Sequence, residues 1–208
     1  NIELSLKTGN LFQRIPLKAC PHIRCANALR MDWNDLLPAN ECSYVMGNPP
    51  FVGAKFQTPE QREDLQHIAG DVDGNGLLDY VTLWYFKSVR YIKDTSIRCA
   101  FVSTNSISQG EQVGVLWSAL FNAGAKIHFA HRTFSWQSEA KGKAHVHVVI
   151  IGFGLKDMPV KRIFEYEDIK GEPVAILVAN INPYLVEGGD ITITNRSEPP
   201  CDVPEIGI

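Results

Sequence analysis

The chain has 208 residues, 45% of them apolar, enough to bury a substantial core as one domain or as one domain with an appendage. Its 20 basic and 23 acidic residues give a formal charge of −3, so bulk charge does not suggest a nucleic-acid partner, and any phosphate contacts would come from a local basic patch. Five cysteines (Cys20, Cys25, Cys42, Cys99, Cys201) are scattered without a C-x-x-C pair, which favours reduced thiols in the cytoplasm over a disulfide framework or a zinc site; no apolar run approaches the roughly 20 residues that span a bilayer, and no signal peptide opens the chain.

Residues 1–13 read as the end of an amphipathic helix running into a loop, and the start in mid-pattern without methionine is expected of a piece of a larger protein. "PHIRCANAL", Pro21 to Leu29, reads as a strand ending at Asn27, and "MDWNDLLPANE" as a polar connector with helix-capping character. Cys42 to Met46 is the next strand, broken at Gly47, where an open α/β sheet carries its ligand site. Asn48, Pro49, Pro50 and Phe51 follow. Two consecutive prolines cannot continue a ladder, and each restricts the residue before it, so the tip is stiff and offers one amide, one free carbonyl and one ring.

"DVDGNG", Asp71 to Gly76, has the start of a calcium loop, but its twelfth position is Thr82, which lacks the bidentate carboxylate; a turn leading into a helix is preferred. Apolar spacing predicts a helix from Gly76 to Lys93, a strand in "IRCAFVSTNSI", a helix in "EQVGVLWSALFNAG" closed by Gly124, and a strand in "AKIHFAHRTF". Helix alternating with strand argues a largely parallel sheet with crossover helices. "AHVHVVIIGFG", Ala144 to Gly154, follows without an intervening helix and is expected to close the sheet as an antiparallel hairpin. His131, His145 and His147 invite a metal reading, but no carboxylate or cysteine has ligand spacing, and ordinary strand histidines are preferred. After Gly154, "VAILVA" and "DITITN" alternate with turns and read as a linker or the start of another domain.

In this order the motifs resemble the class I S-adenosylmethionine-dependent DNA methyltransferases that modify adenine amino groups, in particular the MmeI-type restriction-modification methylases, over roughly residues 1–200. "GNPPF" matches the catalytic motif, "CANALRMDW" looks like the segment that meets the cofactor adenine, "LLDYVTLWYF" resembles the helix that follows the catalytic motif, and "HRTFSW" with "AHVHVVIIGF" is similar to the motif flanking the flipped base. The resemblance implies a Rossmann-like α/β fold, mostly parallel with a terminal antiparallel hairpin and incomplete at the N-terminus. Residues 1–155 would be the C-terminal part of the catalytic domain, and 156–208 a linker or the start of a target-recognition domain.

The same resemblance assigns Asn48, Pro49, Pro50 and Phe51 to catalysis, Asn27, Ala28, Asn48 and Asp79 to the cofactor, and Phe51 with Phe134 to the substrate base; no metal is implied. Double-stranded DNA with an extruded adenine is the expected partner, S-adenosylmethionine the cofactor, and a fused nuclease an expectation for the full-length protein. The glycine-rich cofactor loop that should precede these motifs does not occur in the chain, and Asn27 stands where relatives often carry aspartate. Two other readings use the same residues: a protein glutamine methyltransferase, whose planar amide poses the same chemical problem, and a non-catalytic scaffold.

Overall fold

The computed structural model describes residues 23–136 and 146–193. The expected helix end at residues 1–13, His145, and the chain beyond 193 lie outside the described residues. Six strands form one sheet: β1 (Tyr44–Gly47), β2 (Arg98–Thr104), β3 (Lys126–Trp136), β4 (Val146–Gly154), β5 (Lys161–Glu165) and β6 (Val174–Val178), in the order β1-β2-β4-β3-β5-β6. β1, β2, β3 and β5 share one direction, and β4 and β6 run against them. The antiparallel pair β3–β4 is present as expected, with β4 lodged between β2 and β3. Beyond β3 the sheet continues through β5 and β6, so residues 161–178 belong to the same layer.

Three α-helices accompany the sheet: α1 (Pro59–Ala69), α2 (Thr82–Tyr91) and α3 (Gln112–Asn122). α1 starts at a capping box, in which Thr58 accepts from the Gln61 N–H at 3.3 Å and the Gln61 side chain accepts from the Thr58 N–H at 3.0 Å, with Pro59 in the first turn. α3 ends at Gly124, whose φ of +89° is the left-handed conformation that glycine adopts without strain. The core between helices and sheet is aromatic: Tyr85 on α2 stacks on Phe153 of β4 at 5.1 Å and meets Phe101 of β2 at 5.2 Å, and its hydroxyl bonds Ser103 at 2.9 Å. That partner matters, because a buried hydroxyl without one costs stability. Gly152 lets the Phe129 ring of the neighbouring strand cross it; a Cβ there would lie 2.0 Å from the ring.

Three local expectations need correction. From Ile23 onward the segment read as a strand is irregular and closes in a turn, because the Asn27 side chain accepts from the Leu29 N–H at 2.9 Å while its carbonyl accepts from Arg30 and Met31. The helix expected from Gly76 begins only at Thr82; a 3-10 turn at Asn75–Leu77 and an extended stretch precede it, since the Tyr80 N–H donates to the Val52 carbonyl at 2.8 Å instead of closing a helical turn. "DITITN" forms no strand through Ile193.

Candidate active site at the C-terminal edge of the sheet

The C-terminal ends of β1, β2, β3 and β5 point to one edge, where the loops carrying Asn48–Phe51 and Ser106, the end of β3 with Phe134, and Tyr166 all lie. This is where open α/β sheets hold ligands. A Cβ at Gly47 would sit 3.3 Å from the Phe101 ring, so any larger residue there would press on that ring. Asn48 is exposed, Pro49 buried and Phe51 half-buried. Among the described residues neither Asn48 nor Pro49 makes a hydrogen bond. An amide oxygen and a carbonyl oxygen, adjacent in sequence, therefore have unused acceptor capacity, and the two prolines favour extended backbone at Asn48 and Pro49.

Beside this tip lies a cavity of about 500 Å³, walled by Ala28, Trp33, Leu37, Pro49 and Phe101, with Asn48 also on its lining. That volume falls among ordinary small-molecule sites, about 300–1,000 Å³. Its lining is largely apolar and aromatic, with the Asn48 amide and Arg24 among its polar members, a set compatible with the adenine portion of S-adenosylmethionine. The segment lining the cavity is well fastened. Trp33 donates its indole N–H to the Ala28 carbonyl at 2.8 Å, and Lys87 on α2 donates to the carbonyls of Leu29 at 2.7 Å and Met31 at 2.6 Å.

Asp64 on α1, only 2% exposed, accepts from Asn27 at 3.1 Å, Arg30 at 2.6 Å and the Tyr80 hydroxyl at 2.7 Å. Burial alone would push its pKa up, but the donors Tyr80, Arg30 and Asn27 outweigh it and hold the carboxyl below its usual range. The Asn27 side chain is thereby occupied at both ends, its oxygen by Leu29 and its nitrogen by Asp64. It retains one further acceptor site on that oxygen and one further N–H for a ligand.

Asp79, which the resemblance assigns to the cofactor, accepts three hydrogen bonds within the chain. One carboxylate oxygen accepts from the Ala54 N–H at 2.9 Å; the other accepts from Ser106 at 2.6 Å and from Gln112 at 2.7 Å. Phe134, expected at the substrate base, stacks on Tyr166 at 5.0 Å, and Tyr166 in turn bonds His131 at 2.8 Å. The structure thus brings Ala28, Asn48, Pro49 and Pro50 to one cavity, while Asn27 and Phe51 are not on its lining. Phe134 lies at the same edge on β3, and Asp79 bonds the loop at Ala54. Sequence reasoning missed Asp64, Tyr80, Ser106 and Gln112. The signal for Asp64 was a carboxylate one residue before Leu65, on the face α1 buries.

A sheet of this order, with an Asn-Pro-Pro-Phe tip at the end of its first described strand, defines a Rossmann-like α/β domain of the methyltransferase class. Residues 1–165 match the family model for the DNA-methyltransferase domain of MmeI, and the chain belongs to that family. It is 42% identical over 209 residues to DNA methyltransferase A of Bacillus subtilis (strain 168), a match that covers 99% of this chain and 23% of that protein. It also resembles the solved Type IIL restriction-modification enzyme MmeI in complex with DNA, with a TM-score of 0.87 and 55% identity over 98% of this chain and 27% of that one. The chain spans about a quarter of the length of these relatives.

Proposed function

We propose that the chain is the C-terminal part of a catalytic domain that transfers a methyl group from S-adenosylmethionine to the exocyclic amino group of adenine in DNA. The observation that carries this reading is the pair of unsatisfied acceptors, the Asn48 side chain and the Pro49 carbonyl, on a stiff tip beside a cavity of the right kind. An adenine amino nitrogen is a poor nucleophile because its lone pair is delocalised into the ring. Two acceptors that take its two hydrogens out of the ring plane favour a tetrahedral nitrogen with the lone pair free to attack. That is orientation and transition-state electrostatics, and it needs no strong base.

The cofactor supplies an electrophilic methyl on a sulfonium. Ala28 and Trp33 would flank its adenine, and Asn48 would face both the cofactor and the reacting amine. The base has to leave the duplex to reach this tip. Phe51 would stack on one face of it and Phe134 contact the other. Membership of a family that includes a DNA-bound restriction-modification enzyme supports DNA as the partner and a fused nuclease in the whole protein. A target-recognition domain following the catalytic part belongs to the same proposal, with the boundary later than residue 155, because the family match runs to residue 165 and β5 and β6 continue the sheet. Free thiols at Cys25, Cys42 and Cys99 accord with a cytoplasmic setting. Among the described residues no helix is long and apolar enough to cross a membrane.

The test is to treat DNA with the full-length enzyme and identify the modified nucleoside by mass spectrometry. Methyladenine that is lost in Asn48→Ala is the expected result. Methylcytosine, or methylglutamine in a protein with unmodified DNA, would overturn the adenine assignment.

A further inference from the structure

Two loops meet at the reactive edge, one after β1 and one after β2, and Asp79 ties them together. Its first oxygen holds the Ala54 N–H, three residues beyond Phe51. Its second oxygen holds the hydroxyl of Ser106, in the 3-10 turn Asn105–Ser108 that continues β2, and the amide of Gln112, at the start of α3. Gln112 closes the arrangement by accepting the Asp79 N–H at 3.0 Å, and it is itself buried. On either side the backbone repeats the attachment. Tyr80 donates to the Val52 carbonyl, and the buried Gln57 side chain donates to the Leu78 carbonyl, both at 2.8 Å.

The loop from Val52 to Gln57 is therefore held at three points by Leu78, Asp79 and Tyr80, and Phe51 is the residue immediately before the first of them. A carboxylate accepting one backbone and two side-chain donors has little capacity left for a ligand hydroxyl. Charge-assisted bonds of this kind are short, directional and stronger than neutral ones, which is what fixing a loop to a rigid helix requires.

We infer that Asp79 is a positioning residue: through Ala54, Ser106 and Gln112 it sets the loop that carries Phe51, and so fixes where the extruded base lies relative to Asn48, without touching the cofactor. This rests on the reading of Asn48–Phe51 as the reactive tip. Removing the carboxylate frees the loop while leaving the cavity beside Ala28 and Trp33 intact. Base placement then becomes loose and cofactor binding does not. A misplacement of about 1 Å costs on the order of 100-fold in turnover.

The experiment uses the full-length protein, with Asn48→Ala, Asp79→Ala and Ser106→Ala compared for kcat on target DNA and for S-adenosylmethionine Kd by calorimetry. Expected are a fall of about 100-fold in kcat for Asp79→Ala, a smaller fall for Ser106→Ala, which removes one donor only, and cofactor Kd within about two-fold of wild type for both. A weakened cofactor Kd with kcat preserved at saturation would return Asp79 to the cofactor site and overturn the inference. So would unchanged kcat and Kd. Should Asp79→Ala not fold, Ser106→Ala decides by the same two measurements: lowered kcat with unchanged Kd supports the positioning role, and either of the other two patterns overturns it. Activity retained in Asn48→Ala would instead remove the reactive tip itself, which separates failure of that reading from failure of the positioning role.

Discussion

The Asn48 amide and the Pro49 carbonyl have no hydrogen-bond partner among the described residues; Asn48 is exposed, and an exposed amide that packs against little contributes little to folding. Asn48→Ala in the full-length enzyme is accordingly expected to leave the melting temperature within a degree or so of wild type, on the order of the ±0.5 kcal/mol typical of surface changes. The same change should raise the barrier to methyl transfer by about 3 kcal/mol or more, as loss of one preorganised hydrogen-bonding group does. Single-turnover kinetics with a melting curve on the same sample would check both halves. At Phe51, Trp should keep activity because any large π-face can stack, whereas Ala should weaken binding of the extruded base by about 1–3 kcal/mol, read from the DNA KM. These residues were legible in the sequence because Pro-Pro leaves so few backbone conformations. Asn27 was less legible: whether its amide faces a ligand or a neighbour depends on Asp64, which approaches from a helix 37 residues away.

The capping box of α1 shows what a local signal can and cannot convey. Thr58, Pro59 and Gln61 announce a helix start in the sequence, yet apolar periodicity does not reveal the helix, because α1 is largely polar and buries only a narrow stripe with Asp64, Leu65, Ile68 and Ala69. Thr58→Ala should cost about 1 kcal/mol, measurable as a lowered denaturation midpoint, and Thr58→Ser should restore most of it. β1 to β4 and β6 were legible by alternation and apolar runs, but β5 was not, two segments that read as β form no strand where described, and the order of neighbours was not legible. β3 carries one extra residue against β4 between Ile127 and Phe129 and another irregularity between His131 and Phe134, and such bulges turn later side chains in ways that periodicity does not encode. Gly152 looks dispensable in sequence and is not. Gly152→Ala drives a methyl into the Phe129 ring and should destabilise by about 1–3 kcal/mol, while Gly76→Ala, at a position with nothing within 4 Å, should be close to neutral. Thermal shift of the two variants side by side decides it; equal shifts would mean that the ring simply moves aside.

Across the whole molecule the sheet is clothed unevenly. α2 and α3 cover the face carrying Phe101 and Phe153, whereas Tyr44, Met46 and Leu177 are exposed and a cavity of about 400 Å³ opens among Tyr44, Met46, His128, His131 and Phe164. Two histidines are thus part of the sheet's packing on β3. His131 lies flat on Phe164 at 4.2 Å and bonds Tyr166; His128 bonds the Lys156 carbonyl at 2.8 Å. Burial lowers the pKa of both below the usual 6.5, and for His128 the nearby Lys161 and Arg98 charges add to that, against the opposing carbonyl bond. The sign of the pH effect follows from these directions. With the folded pKa depressed, the neutral form's contribution to stability is complete above about 6.5, the unfolded value, and is lost as pH falls from there through the folded pKa. Asp64 is also held low, so its contribution persists down to about pH 4 and fades only below that. The expected behaviour is therefore an early, local loosening of β3 and β5 as pH falls below about 6.5, while α1 and the segment around Asn27 stay protected until about pH 4. Amide-exchange protection factors in the full-length protein, measured at several pH values, would show it. A His128→Gln, His131→Gln double variant should hold its β3–β5 protection constant over that interval; an unchanged pH response in the variant would mean that other groups drive the loosening.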